Sequence, residues 1–307
     1  MITHYFKTIQ DTELKVVEAV RTGVWTHVVA PTDEEVAKIV ADYILDETIL
    51  EDARDFFEVP RMERKGGMTY FFTRYPFDEK AEDSGTAPLL IIMGESFLLT
   101  FAVREVPQFK EFIDGTQSIT TTQKAKFFIQ IMDSITSSYE KELVRFRKLV
   151  QRDRARLRRI GSREIERLVD FENDLNDIVA ALIPTNTWLQ QVTAGNYMQL
   201  YNEDVELMQD LMIANSQLVD SARSVLKTIQ NIRTATEAIF TNKLNTTIRT
   251  LTILTIILTI PTIVASIFGM NVRIPFEDNP YAFWMVLVFI IVSVLAVIYL
   301  FKRNKWL

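Results

Sequence analysis

The run AFWMVLVFIIVSVLAVIYLF, residues 282–301, carries no charged side chain. About twenty helical residues at roughly 1.5 Å each match the ~30 Å hydrocarbon core of a bilayer. A second run, residues 251–270, precedes it and is also free of charge. Together they make about forty nearly uncharged positions with nothing around them to be buried by, so both are expected to cross a membrane. Tyr281 and Trp284 flank one end of the later run, and Tyr299 and Trp306 the other. Amphipathic rings favour such interfacial positions. The basic segment KRNKWL (302–307) then marks the cytoplasmic side of the cell membrane. Two crossings return the chain to the side it left. Residues 1–245 are therefore expected in the cytoplasm with the C-terminal end, and the loop 271–281 outside.

The average composition, 48% hydrophobic and 24% charged, conceals this division between a soluble front and a lipid-soluble end. A net charge of -6 argues against nucleic acid as a partner. The chain has no cysteine and two histidines, His4 and His27. That excludes disulfides and thiolate chemistry and disfavours a soft-metal site. The first residues, MITHYFKTIQDTELK, hold no apolar stretch, so no signal peptide is expected. No GxxxxGK[ST] loop and no catalytic constellation stand out. Neither enzyme activity nor an organic cofactor is expected.

The front reads as a mixed α and β domain, residues 1–117. THVVA (26–30) and MTYFFTRYPF (68–77) are β-branched and aromatic. PLLIIMGESFLLTFA (88–102) is two apolar runs about Gly94-Glu95, a hairpin pattern. Thr32 followed by Glu35 opens TDEEVAKIVADYIL (32–45) with a capping box. Residues 118–250 read as helices. One covers about 120–159 and breaks at Gly161-Ser162. Another covers about 163–183 and is expected to end before Pro184. The basic stretch KELVRFRKLVQRDRARLRR (141–159) reads as a solvated helix face rather than a lipid contact. Met208, Leu211, Asn215, Leu218, Ala222, Val225, Ile229 and Ile232 then follow at steps of three and four, a heptad seam. A helix from about 200 to 268 would be roughly 100 Å long, too long for a globular core. It must be a stalk, and its coiled seam is where neighbouring chains are expected to meet. The fold class is therefore an α+β cytoplasmic domain, a long stalk helix and two C-terminal transmembrane helices. The transmembrane part divides into a first helix (251–270), an external loop (271–281), a second helix (282–301) and a basic tail (302–307).

The first span holds an ordered polar set. Thr252, Thr255, Thr259, Thr262 and Ser266 recur at steps of three, four, three and four. The same rule extends back through Ile248, Asn245 and Thr241, and forward to Gly269. Such hydroxyls can bond back to their own i−4 carbonyls and let helices pack closely. A full stripe on one face points further, to a pore lining. Two spans cannot enclose a pore, but a ring of identical chains can. Between Leu251 and Asn271 the stripe offers hydroxyl, amide and carbonyl oxygens and no charge. Magnesium is a hard ion that prefers oxygen and sheds water reluctantly. A neutral oxygen ring at Asn271 could hold the hydrated ion weakly enough to release it.

Gly269-Met270-Asn271 lies between a proline-bearing span and a short loop, followed by a second span and a KxxKWL-like tail. In this setting it resembles the CorA magnesium transporter family, over the whole chain. The resemblance implies a funnel-shaped homopentamer in which the first span lines the pore. It implies that Asn271, with Gly269 and Met270, forms the selectivity filter. Asn245 then corresponds to the family's inner asparagine, Leu251 to its hydrophobic gate and Thr262 to a pore threonine. Asp78 (in YPFDEK) and Asp210 (in MQDLM) correspond to regulatory metal ligands shared between subunits, so Mg²⁺ is both cargo and regulator. The family's methionine gate falls on Thr259, and its inner aspartate ring on Thr234. The loop VRIPFEDNP also differs from the family's acidic type.

Three functions remain open at this level: Mg²⁺ uptake, with Co²⁺ or Ni²⁺, down the membrane potential; transport of Zn²⁺, with or without proton coupling; and a membrane-anchored coiled-coil scaffold without conduction.

Overall fold

The computed structural model describes residues 1–77, 85–155, 162–194, 197, 198, 200–270, 280–304 and 306. The chain divides into two units, Met1–Ile232 and Arg233–Leu307.

The first unit is built on a seven-stranded sheet. Its strands are β1 (Ile2–Phe6), β2 (Lys15–Val16), β3 (Val24–Val29), β4 (Met62–Lys65), β5 (Met68–Phe77), β6 (Gly85–Met93) and β7 (Phe97–Ala102). They lie in the order β2-β1-β3-β7-β6-β5-β4. Only β3 and β7 pair in parallel; the other neighbours are antiparallel. The expected hairpin is β6–β7, with Leu98 opposite Met93. Strands β5 to β7 are apolar on both sides because the sheet is covered on both sides. Two helices, α1 (Asp33–Tyr43) and α2 (Glu47–Asp52), bring Val36, Ile39, Tyr43, Ile49 and Leu50 onto Tyr70, Phe72, Leu90, Ile92 and Leu99. On α1 the expected capping box is formed: Thr32 Oγ1 accepts from the Glu35 amide at 3.3 Å, and Glu35 Oε2 accepts from the Thr32 amide at 3.0 Å. A short α3 (Lys110–Ile113) leads into the long α4 (Lys124–Ala155) and α5 (Ser162–Ala194). These carry Phe127, Phe128, Ile131, Leu182 and Trp188 into one core with Trp25, Phe71, Leu89, Ile91 and Leu98.

Helix α5 does not end before Pro184; it continues to Ala194. Proline supplies no N–H for the Ala180 carbonyl and disfavours the helical state of its predecessor. Burial overrides that local cost. Trp188, Leu189 and Val192, all beyond the proline, are almost fully buried, and Thr185 Oγ1 reaches Thr73 Oγ1 of β5 at 3.4 Å.

Helix α6 runs without a break from Asn202 to Phe268 and passes from the first unit into the second. Its heptad seam is real but has a different partner from the one expected. Each of its eight positions is buried within the single chain, and its apolar members join the core formed by α4 and α5. Arg147 of α4 donates to Ser221 Oγ at 2.5 Å, and Thr193 Oγ1 of α5 lies 3.5 Å from Met212 Sδ. A seam of this period shows that a helix packs, not on which molecule. The second unit holds the rest of α6 and α7 (Ala282–Arg303). Both helices are long and apolar enough to cross a membrane.

Candidate ion-conducting helix

The apolar end of α6 has two sides. Ile253 is buried, and Ile256, Ile257, Ile260 and Val264 are half-buried. At 3.6 residues per turn these five fill an arc of about 100°. Thr252, Thr255, Thr259, Thr262 and Ser266 fill another arc of about 80°, centred about 130° away, and all five are exposed in the single chain. Asn245 and Ile248 extend that arc towards the first unit, Leu251 sits at its edge, and all three are exposed.

The threonine hydroxyls share one arrangement. Thr252, Thr255 and Thr262 each donate at 2.9 Å to the carbonyl four residues back, on Ile248, Leu251 and Leu258. Thr259 does the same to Thr255 at 2.7 Å. The preceding turns repeat the pattern at Thr246, Thr247 and Thr250. A hydroxyl has one proton and two lone pairs. With its proton committed to the backbone, each Oγ1 is left as an acceptor. The arc is thus a line of neutral oxygens suited to the hydrogens of water or of a hydrated cation.

Helix α6 stops at Phe268, and the Gly269 amide still donates to the Ala265 carbonyl at 2.9 Å. A Cβ at Gly269 would stand 3.2 Å from that carbonyl oxygen, so glycine lets the turn close. Met270 follows, half exposed. Asn271 lies outside the described residues, as does Asp78. Asp210 and Thr234 are exposed on α6 in different units. No group of three Asp, Glu or His side chains that could hold a metal occurs among the described residues. The structure thus brings the pore-lining candidates onto one arc of one helix, and among the described residues Asp210 belongs to no three-carboxylate group. The proton direction of each threonine is the feature sequence reasoning did not fix, because it depends on the rotamer.

The CorA-like Mg²⁺ transporter protein family matches residues 21–303. The cobalt/magnesium transport protein CorA of Methanocaldococcus jannaschii is 25% identical over 294 residues, covering 92% of this chain and 91% of the relative. The putative metal ion transporter YfjQ of Bacillus subtilis is 21% identical over 279 residues, covering 89% and 84%. The complete structure of the Methanocaldococcus jannaschii CorA magnesium transporter superposes with a TM-score of 0.87 at 20% identity, covering 100% of this chain and 99% of that one. The α+β domain, the unbroken long helix and the two apolar helices are therefore one known architecture, and the chain belongs to the CorA-like Mg²⁺ transporter family, as a divalent-metal transporter of the membrane.

Proposed function

We propose that the protein conducts Mg²⁺ into the cell, down the membrane potential, through a ring of five copies in the cell membrane. The observation that carries this reading is the arc of back-bonded hydroxyls on α6, uncovered in the single chain and running to Gly269. A divalent ion gains about 4.6 kcal/mol per 100 mV of inside-negative potential, which drives uptake without a nucleotide. In this scheme the Asn271 amides accept from the waters of the hydrated ion at the outer mouth, beside the Gly269 and Met270 backbone. Thr262, Thr259, Thr255 and Thr252 pass the ion along. Leu251 forms the apolar constriction and Asn245 the inner polar ring. Both termini lie in the cytoplasm, with the basic tail on the inner face. The name of the similar cobalt/magnesium protein supports Mg²⁺ as cargo and Co²⁺ as a competitor.

In the same scheme a regulatory metal is held across subunits. Asp210 is an exposed carboxylate, and no three-carboxylate group occurs among the described residues, which is consistent with a site completed by Asp78 of a neighbouring copy. Bound metal would hold the closed ring together, and its loss would release it.

The decisive experiment is Mg²⁺ uptake into liposomes by the wild type and Asn271→Ala, with Co²⁺, Ni²⁺ and Zn²⁺ as competitors and with an imposed pH gradient. Loss of uptake on substitution is expected. Normal flux through a correctly inserted Asn271→Ala channel would remove the filter from this residue. Zn²⁺ flux that needs the proton gradient would replace the Mg²⁺ reading.

A further inference from the structure

Helix α7 closes on two cations, Lys302 and Arg303, and residues 282–307 hold Lys305 besides and no acidic side chain. In the part of α6 that belongs to the second unit, Glu237 is the one carboxylate against Arg233, Lys243 and Arg249. The helices of this unit therefore carry a positive excess. The unit's other acids, Glu277 and Asp278, precede α7 in the chain, whereas Lys302 and Arg303 end it.

The chain does not run straight on from α7. The Asn304 amide donates to the Leu300 carbonyl at 3.0 Å, and the Trp306 amide to the Phe301 carbonyl at 2.9 Å. This turn lays the Trp306 indole on the Phe301 ring, with centroids 5.9 Å apart and planes 16° from parallel. On the other flank, Tyr299 lies three residues before Lys302 and four before Arg303, and Leu295 lies four before Tyr299. These four side chains share one helix face, and all are exposed. Towards the middle of the helix, Tyr299 stands about 5 Å and Leu295 about 10 Å from the level of Lys302. Each interfacial layer of a bilayer is about 5–7 Å deep. With the cations at the phosphate level, Tyr299 falls at the hydrocarbon boundary and Leu295 inside it. The face thus has the polarity profile of one phospholipid.

Charge and apolar surface together select the ligand. A free phosphate would use the cations and leave Tyr299 and Leu295 without a role. A zwitterionic lipid would cover the apolar face and leave the positive excess. We propose that the Arg303 end of α7 binds an anionic phospholipid. Its phosphate accepts from Lys302 Nζ and from the Arg303 guanidinium, whose fork suits two phosphate oxygens. Its ester groups lie at Tyr299, and an acyl chain runs along Leu295. The stacked Phe301 and Trp306 rings close the side of Lys302 away from Arg303, at the depth amphipathic rings favour. The proposal needs α7 to span the membrane, and it stands whichever ion the protein carries.

The test uses the full chain in neutral detergent. Its unfolding midpoint is followed as a short-chain phosphatidylglycerol, the matching phosphatidylcholine or inorganic phosphate is added. A ligand that binds only the folded chain raises the midpoint with concentration, which gives an apparent affinity. Phosphatidylglycerol is expected to bind about tenfold or more tightly than phosphatidylcholine, as two basic side chains at an anionic surface imply. Inorganic phosphate is expected to give no shift over the same range. Equal shifts from the two lipids would overturn the proposal. So would a shift from inorganic phosphate equal to that from phosphatidylglycerol, which would leave an anion site without a lipid. These arms use the unaltered chain and do not depend on a variant folding. Lys302→Gln and Arg303→Gln are each expected to weaken phosphatidylglycerol binding about fivefold and to leave phosphatidylcholine within about twofold. Lys243→Gln removes the same charge from α6 and is expected to change neither by more than about twofold. Equal losses in all three variants would mean diffuse attraction and would overturn the site on α7.

Discussion

One helix, α6, passes through two environments, and its residues record the change. From Asn202 to Ile232 its seam is filled by α4 and α5, and Met208, Ala222 and Ile229 are fully buried. From Arg233 onward Leu244, Leu251, Leu254 and Leu258 are between 52% and 62% exposed in the same chain. Burial in water stabilises by about 25 cal/mol for each Å² of apolar surface. The first stretch gains that from its own domain, and the second only along the side of Ile253. Its apolar faces must be met by lipid or by other copies. A single period of 3.6 therefore serves a soluble core and a membrane helix, and the environment decides what each face does.

The largest expected effect tests this contrast directly. Leu211→Ala should cost about 2–5 kcal/mol, because it empties a filled seam. Leu258→Ala removes the same atoms from an exposed position and should stay within about 0.5 kcal/mol. Denaturant unfolding of the detergent-solubilised protein reads both. Equal losses would mean that the second stretch is already packed within its own chain.

Acid should also separate the units, because both histidines lie in the first. His27 is buried between Trp25 and Phe109, bonded to Thr100 Oγ1 at 2.9 Å, and burial lowers its pKa to about 4. An unfolded histidine titrates near 6.5. Between those values the unfolded chain binds the extra proton. The stability this neutral ring contributes is therefore complete above pH 6.5 and is lost as pH falls towards 4, on the order of 3 kcal/mol. His27→Gln should flatten that slope in a pH series of unfolding midpoints. An unchanged slope would assign the acid sensitivity to other groups.

The features legible in the sequence are those fixed by neighbours along the chain. The capping box needs only Thr32 and Glu35, the β6–β7 hairpin needs Gly94-Glu95, and the apolar helices declare themselves by length. The seam was legible as a period, but its occupant was not, since α4 and α5 are brought to it by the tertiary fold. Pro184 misled for the same reason: its local preference is overridden by the burial of Trp188, Leu189 and Val192. Strands β1 and β2 left little signal, being short and only partly apolar. In the candidate site, the arc from Thr252 to Ser266 was readable from spacing. The commitment of each threonine proton to an i−4 carbonyl was not.

The smallest expected effect decides what the hydroxyl arc is for. Thr259→Val keeps the shape of the side chain and removes its oxygen. If the arc only packs helices, flux should not change, and stability should move by less than about 0.5 kcal/mol at this exposed site. If the arc passes hydrated ions, one acceptor is lost from each copy, and Mg²⁺ uptake should fall about tenfold, which corresponds to about 1.4 kcal/mol on the rate and to the worth of one hydrogen bond. Thr259→Ser supplies the control, since serine keeps both the oxygen and the option of bonding to the Thr255 carbonyl. Valine low and serine near the wild type would show that the oxygen matters in the membrane stretch of α6. In the stretch above it, by contrast, the apolar seam carries the stability. Equal uptake for all three would make the two stretches alike after all, each a packing surface with a different neighbour.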